Sequence, residues 1–220
     1  LWHSQNHYDE AQQEAAGVLA EWTDPVDFAD RLLEIERVNV GHYGFGVKSF
    51  TLSMIETAIA LSDGAVTSST VTALVEIGRA LLQHPVDLID GVTEVVAALT
   101  DDHHLVVVTK GDLLHQERKL VESGLYDAFD DVHIVSAKTP ETYRKLVHHH
   151  GVAPECALMV GNSLPSDILP AREAGLHAAH IPYALLWAYE HHELDDDHDV
   201  TTLSSILELP QHVDELKRAR

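Results

Sequence analysis

Three short segments carry residue types that could hold a phosphate and a metal ion. Thr109 closes an apolar run and is followed by Lys110–Gly111–Asp112. A hydroxyl beside the backbone N–H groups of a helix start suits phosphate oxygens. The same residues also fit a plain strand end with Asp112 as a helix N-cap. Lys138 precedes Thr139–Pro140–Glu141, which reads as another helix start. A cation there opposes the helix dipole, so either solvent or some other group must favour it. The third segment is Ala157 to Asp167: an apolar run, a Gly161–Asn162–Ser163 turn, then Asp167 at the mouth of a helix. A carboxylate and an amide oxygen in one loop are suitable hard ligands for Mg²⁺, which usually keeps several waters. Each segment alone is commonplace. Their order, and their shared place at the carboxyl end of an expected strand, is what singles them out, because open α/β folds bind ligands at that edge.

The elements that must position these residues follow from the periodicity. From Glu10 to about Gln83 the pattern is helical, with Ala11–Trp22 rich in strong helix formers. Asp24–Pro25 supplies an N-cap and a first-turn proline, and three glycines between Gly41 and Gly46 interrupt the following helix. Further helices are expected to Ser62–Asp63–Gly64 and from Thr67 to Gln83. After His84–Pro85 strands and helices alternate: a strand at His104–Thr109, a helix from Asp112, strands at Val132–Val135, Ala157–Val160 and His177–Ile181. A short strand near Val200–Leu203 and two brief helical pieces about Pro210 complete the chain. Such alternation predicts βαβ units and a Rossmann-like, doubly wound parallel sheet, preceded by a helical subdomain.

Composition narrows the function. The 220 residues include 36 acidic and 14 basic ones, for a formal net charge of −22. That surface repels nucleic acid and anionic membranes, so neither is expected as a partner. Few lysines and the run Asp195–Asp196–Asp197–His198–Asp199 also fit a protein kept soluble in concentrated salt. No apolar run has membrane-spanning length, and no basic segment followed by an apolar core opens the chain. A cytoplasmic protein is expected. The single Cys156 precedes an apolar run and is expected to be a buried, inert thiol. Among the 17 histidines, His148–His149–His150 invites a metal reading. Consecutive residues point to different sides of a helix, and histidine is favourable near a helix end, so no metal is expected there or at His191–His192.

The ordered constellation resembles the haloacid-dehalogenase-like hydrolase superfamily. Thr109 matches the Thr/Ser of its second motif, Lys138 the Lys of its third, and Gly161–Asn162–Ser163 through Asp167 its fourth, with Asn at the first acidic position. Asp90–Gly91–Val92 and Ala171–Arg172–Glu173–Ala174–Gly175 match the flanking turn and helix. The resemblance implies an entry segment at 1–9, an α-helical cap at 10–86 and a Rossmann-like core at 87–220. It implies a Mg²⁺-dependent phosphatase acting on a small phosphorylated metabolite through an aspartyl phosphate. Thr109, Lys110, Gly111 and Lys138 would bind phosphate, Thr109 and Lys138 would act in catalysis, and Asn162 and Asp167 would hold the metal. Tyr43, Phe45 and Lys48, beside the glycine-rich break, would set specificity. A phosphomutase and a non-catalytic ligand-binding relative are the alternatives. A dehalogenase fits less well, since that branch tends to have Ser–Asn after the second-motif strand.

One part of the family pattern is missing. The family opens on a strand ending in Asp-x-Asp-x-Thr, whose first Asp is the nucleophile. Leu1–Trp2–His3–Ser4 looks like the segment after that motif, and neither Asp9 nor Asp24 follows an apolar strand. The expectation is a fragment whose intact product carries the motif on a central strand.

Overall fold

The computed structural model describes residues 1–185, 187 and 200–219. His191–His192 and the acidic run 195–199 lie outside the described residues. The chain divides into two compact units. One is helical and comprises Trp2–Asp87 with Lys110–Ser123; the other is α/β and comprises Leu1, Leu88–Thr109 and Gly124–Arg220.

The helical unit contains α1 (Gln5–Val18), α2 (Pro25–Tyr43), α3 (Val47–Leu61), α4 (Ser68–Gln83) and α6 (Leu113–Glu122). The first helix begins earlier and ends earlier than Ala11–Trp22 suggested, since Gln5 to Glu10 join it and Leu19 closes it. Asp24 caps α2 by accepting from the N–H groups of Val26 at 2.8 Å and Asp27 at 3.0 Å, and Pro25 opens the helix. That helix runs through Gly41 and stops at Gly44, where φ is 76°, a conformation that costs glycine little. Leu19, Phe28, Leu32, Met54 and Leu74 are fully buried in one core shared by α1 to α4. Ala11, Ala15 and Ala16 present α1's small side chains to that core.

The α/β unit contains α5 (Val92–Thr100), β1 (Val106–Lys110), whose last residue falls in the helical unit, β2 (Asp131–Val135), α7 (Pro140–His149), β3 (Leu158–Gly161), α8 (Leu169–Glu173), β4 (His177–His180), β5 (Thr201–Thr202) and α9 (Leu209–Arg218). Strand β3 pairs with β4 and β4 with β5, both parallel. Side chains along a strand alternate between faces, and the cores show it. On β4, Ala178 packs with Tyr143 of α7 and Ala171 of α8, whereas Ala179 packs with Val95 and Leu99 of α5 and Leu209 of α9. On β3, Met159 joins the first cluster while Leu158 and Val160 join the second. Helices therefore cover both faces of this sheet, as the alternating sequence predicts.

Among the described residues the strands do not form one continuous sheet. β1 and β2 make a two-stranded sheet, and β3, β4 and β5 a three-stranded one. β1 and β3 are both mainly half-buried, unlike the buried strands of a continuous parallel sheet. Two smaller expectations are corrected. Two helical pieces do adjoin here, a 3₁₀ turn at Ile206–Glu208 and α9, but the boundary precedes Pro210, which lies in the first turn of α9 where its missing N–H costs nothing. Cys156 is exposed, because it ends a 3₁₀ turn, Pro154–Cys156, ahead of β3.

Candidate functional site

In the α/β unit the loop after β3 is built around Asp167. Leu164–Ile168 forms a π-type turn, in which the Ile168 N–H donates to the Ser163 carbonyl at 3.3 Å. Such turns are rare and recur at functional sites. Ser163 caps the turn through its hydroxyl, which accepts from the Ser166 N–H at 3.3 Å. Tyr143, buried on α7, donates its hydroxyl proton to the Ser166 carbonyl at 3.0 Å and fixes the loop from below. Burial, with the nearby Asp167 carboxylate, keeps that phenol protonated far above its ordinary range.

The turn aims Asp167 back at its own strand. One carboxylate oxygen accepts from the Ser163 N–H at 3.1 Å, and the other meets Lys138 Nζ at 2.6 Å. The two side chains are 6% and 11% exposed. A Cβ on Gly161 would overlap the Asp167 carboxylate, so glycine at the end of β3 makes room for it. Lys138 stands just ahead of α7, whose first turn is capped by Thr139 and begins at Pro140. The group that favours a cation at this helix start is the carboxylate of Asp167.

The other predicted residues of this unit fall as follows. Thr109 is half-buried near the end of β1. Asn162 is exposed just past β3, and its backbone carbonyl accepts from His180 Nε2 at 3.1 Å. By donor chemistry Asn162 and Asp167 suit a hard divalent ion: an amide oxygen on an exposed residue, and a buried carboxylate whose remaining lone pairs can still accept.

The remaining candidates all belong to the helical unit. Lys110 places its ammonium 4.0 Å from the centroid of the Phe45 ring, a cation–π contact. The Lys48 N–H donates to the Asp112 carboxylate at 3.1 Å, and its ammonium lies 3.3 Å from the other oxygen. Asp112 thus binds Lys48 and makes no side-chain cap for α6. A Cβ on Gly46 would strike Asp112, so the glycine-rich break is shaped to this contact. Gly111, with φ of 126°, allows the turn in which Gln116 donates to the Lys110 carbonyl at 2.8 Å. Phe45, Lys48, Lys110 and Gly111 therefore share one corner. Tyr43 does not join them: it is exposed and donates to Glu56 at 3.2 Å. Glu56 also accepts from the buried Asn39, which bonds Ser53 as well. Asp9 lies within α1 and Asp24 caps α2, so neither ends a strand.

One cluster joins two of the histidines weighed above, His149 and His150, to two residues the sequence did not single out. Asp131, His133, His149 and His150 converge in the α/β unit. Asp131 and His133 are two apart on a strand and share a face, which was the available signal.

Set beside known proteins, this chain belongs to the haloacid dehalogenase-like hydrolases, whose family profile matches residues 1–175. A haloacid dehalogenase-like family hydrolase from Xanthomonas campestris superposes with a TM-score of 0.89 at 37% identity, over 100% of this chain and 88% of that one. YfnB of Bacillus subtilis, solved bound to magnesium, shares the fold at 18% identity and a TM-score of 0.65, covering 94% of this chain and 92% of its own. A glyceraldehyde 3-phosphate phosphatase of Methanothermobacter thermautotrophicus is 30% identical over 114 residues, 50% of each chain. This chain spans about half the length of the curated relatives it matches.

Proposed function

We propose that this hydrolase removes phosphate from a small phosphorylated metabolite, with Mg²⁺ bound by Asn162 and Asp167. The observation that carries the reading is the buried pair between Lys138, just ahead of α7, and Asp167 in the loop after β3. A lysine buried to this degree beside a carboxylate is held in a fixed position, ready to offset charge on a phosphoryl group. The phosphatase named among the relatives agrees with it.

In this reading the Thr109 hydroxyl and nearby N–H groups orient the phosphoryl oxygens. Lys138 offsets the negative charge that builds on them, and Asp167 keeps its ammonium in place. When bound, Mg²⁺ would supply further charge neutralisation at the phosphate. None of the described residues is assigned as the nucleophile, which the family resemblance implies is an aspartate. Its carboxylate oxygen forms a bond to phosphorus as the alcohol leaves, and water then releases inorganic phosphate from the aspartyl phosphate. Tyr43, Phe45 and Lys48 tune substrate choice from the cap formed by residues 10–86. The contacts Phe45–Lys110 and Lys48–Asp112 support the last two.

The test is phosphate release by the full-length protein from a panel of phosphorylated metabolites, glyceraldehyde 3-phosphate among them. Turnover should vanish with EDTA, return with Mg²⁺ alone, and fall by orders of magnitude in Lys138→Ala. No release from any substrate would favour the non-catalytic reading. That reading has one observation on its side: neither Asp9 nor Asp24 could attack from a strand end.

A further inference from the structure

A second polar cluster lies away from the Lys138–Asp167 pair and has no part in the proposed hydrolysis. Asp131 opens β2 and Lys138 lies three residues past its last residue, Val135, so the length of the strand, about 13 Å, lies between them along the chain. Asp131 and His133 project from one face of β2, because residues two apart on a strand share a face. The last turn of α7 brings His149, and the capping position brings His150. Histidine is favoured at a helix C-terminus, which offsets part of the cost of gathering three imidazoles.

The side chains converge on one point. His133 Nε2 lies 2.9 Å from His150 Nε2 and 3.3 Å from Asp131 Oδ2. His149 Nε2 and His150 Nε2 each lie 3.8 Å from the same Asp131 oxygen. One ligand atom from each of the four residues falls within 4.8 Å of every other. Four ligands in a tetrahedron about an ion with bonds of about 2.05 Å are separated by about 3.3 Å. The observed spacings bracket that value.

The surroundings also prepare these atoms for an ion. The Val132 N–H donates to Asp131 Oδ1 at 2.7 Å, which leaves Oδ2 facing the imidazoles. His150 Nδ1 lies 3.1 Å from His104 Nε2, and His104 Nδ1 lies 3.2 Å from Asp130 Oδ2. Asp130 is itself held by the Leu105 N–H at 2.8 Å. With His104 protonated on Nδ1, His150 donates from Nδ1 and turns a bare Nε2 toward the cluster. A carboxylate–histidine relay of this kind is the usual support behind a metal-binding imidazole.

We propose that Asp131, His133, His149 and His150 form a four-coordinate site for a late first-row divalent ion of the Zn²⁺ class. Three imidazoles and one carboxylate suit such an ion and disfavour Mg²⁺ or Ca²⁺, which take oxygen ligands. Four protein ligands close the coordination shell, so the role is structural: the ion ties the start of β2 to the end of α7. The earlier expectation for His148–His149–His150 treated the helix alone. The strand supplies the missing half, and His148 takes no part in it.

The experiment uses untagged, EDTA-treated protein and two probes, Zn²⁺ by calorimetric titration and Co²⁺ by visible absorption. One Zn²⁺ should bind per chain with a dissociation constant below micromolar and raise the unfolding temperature, and Mg²⁺ at the same concentration should not. Co²⁺ should give the intense bands of tetrahedral coordination. Both signals should be lost in Asp131→Asn and weakened at least tenfold in His149→Gln. His149 is 64% exposed, so that change leaves folding intact. His148→Gln should bind as the parent does. Zn²⁺ binding that survives in Asp131→Asn and His149→Gln, or no stoichiometric binding by the parent, would overturn the site and leave a hydrogen-bonded histidine cluster. Phosphatase assays do not enter the test, so its outcome is independent of the proposed hydrolysis.

Discussion

Asp167 meets Lys138 at 2.6 Å across 29 positions of chain while its second oxygen accepts from the Ser163 N–H. Burying an ion pair is costly unless both charges are well paired and hydrogen-bonded. Here the lysine at a helix start and the carboxylate in a π-type turn are each in an unfavourable or uncommon local setting, and each is explained by the other.

Removing one partner should therefore cost more than removing both. Lys138→Met strands a buried carboxylate and should destabilise the protein by about 3–5 kcal/mol. The double variant Lys138→Met/Asp167→Asn should recover much of that loss. Urea denaturation of parent, single and double variants measures the coupling. Strictly additive losses would mean the pair contributes nothing as a pair.

Gly161→Ala tests the seat of the carboxylate. The added methyl would overlap Asp167, so either the strand end or the carboxylate must shift. A loss of about 1–3 kcal/mol is expected from such overpacking. Placed on Lys138→Met/Asp167→Asn, the same substitution should cost clearly less if the charged pair fixes Asp167's position. Equal losses in both backgrounds would assign the strain to backbone neighbours.

How far the sequence reveals this site depends on how local each signal is. Capping of α2 by Asp24 and Pro25, the stop at Gly44, and the strand–helix alternation after Asp90 all depend on neighbours in sequence. So did the need for a group to favour Lys138, although its identity did not. The π-type turn arises from an i to i+5 hydrogen bond that competes closely with the ordinary helical one, and propensity does not separate the two. The histidine cluster joins β2 to the end of α7, and the division of the sheet depends on which strands lie side by side. Both are long-range facts. Cys156 misleads for a simpler reason: the apolar run begins one residue later than its composition suggests, leaving the thiol on a turn.

Salt should stabilise this protein. With 36 acidic against 14 basic residues, self-repulsion at low ionic strength outweighs exposed pairs such as Arg31–Glu34, Arg79–Glu76 and Lys145–Glu141. The screening length falls from about 10 Å at 0.1 M salt to about 3 Å at 1 M. The unfolding temperature should rise steadily from low to molar KCl. A protein indifferent to KCl would remove the case for adaptation to concentrated salt.

Alkali should first strengthen and then weaken the helical unit, through Lys119 and Tyr8. Lys119 is buried on α6, donates to Ser4 Oγ at 3.4 Å and lies 4.8 Å from the Trp2 ring centroid. Burial pulls its ammonium down to about 8 from an ordinary 10.5. Between those values the unfolded chain keeps a proton that the folded one has released, so stability rises with pH. The gain by pH 10 is about 2–3 kcal/mol at about 1.4 kcal/mol per unit. Burial pushes the Tyr8 phenol the other way, well above its ordinary 10.0. Above pH 10 the unfolded chain loses the Tyr8 proton first, and stability falls. At the acid end His115 acts in the same sense as Lys119. Burial, then the Lys119 and Arg118 charges, lower it to about 4, so stability is lost as pH falls from 6.5 through that value. Urea midpoints from pH 7 to 11 should trace a maximum near pH 10. Lys119→Met should raise the midpoint at pH 7 and abolish the rise toward pH 10, and an unchanged alkaline slope in that variant would show that another group produces it.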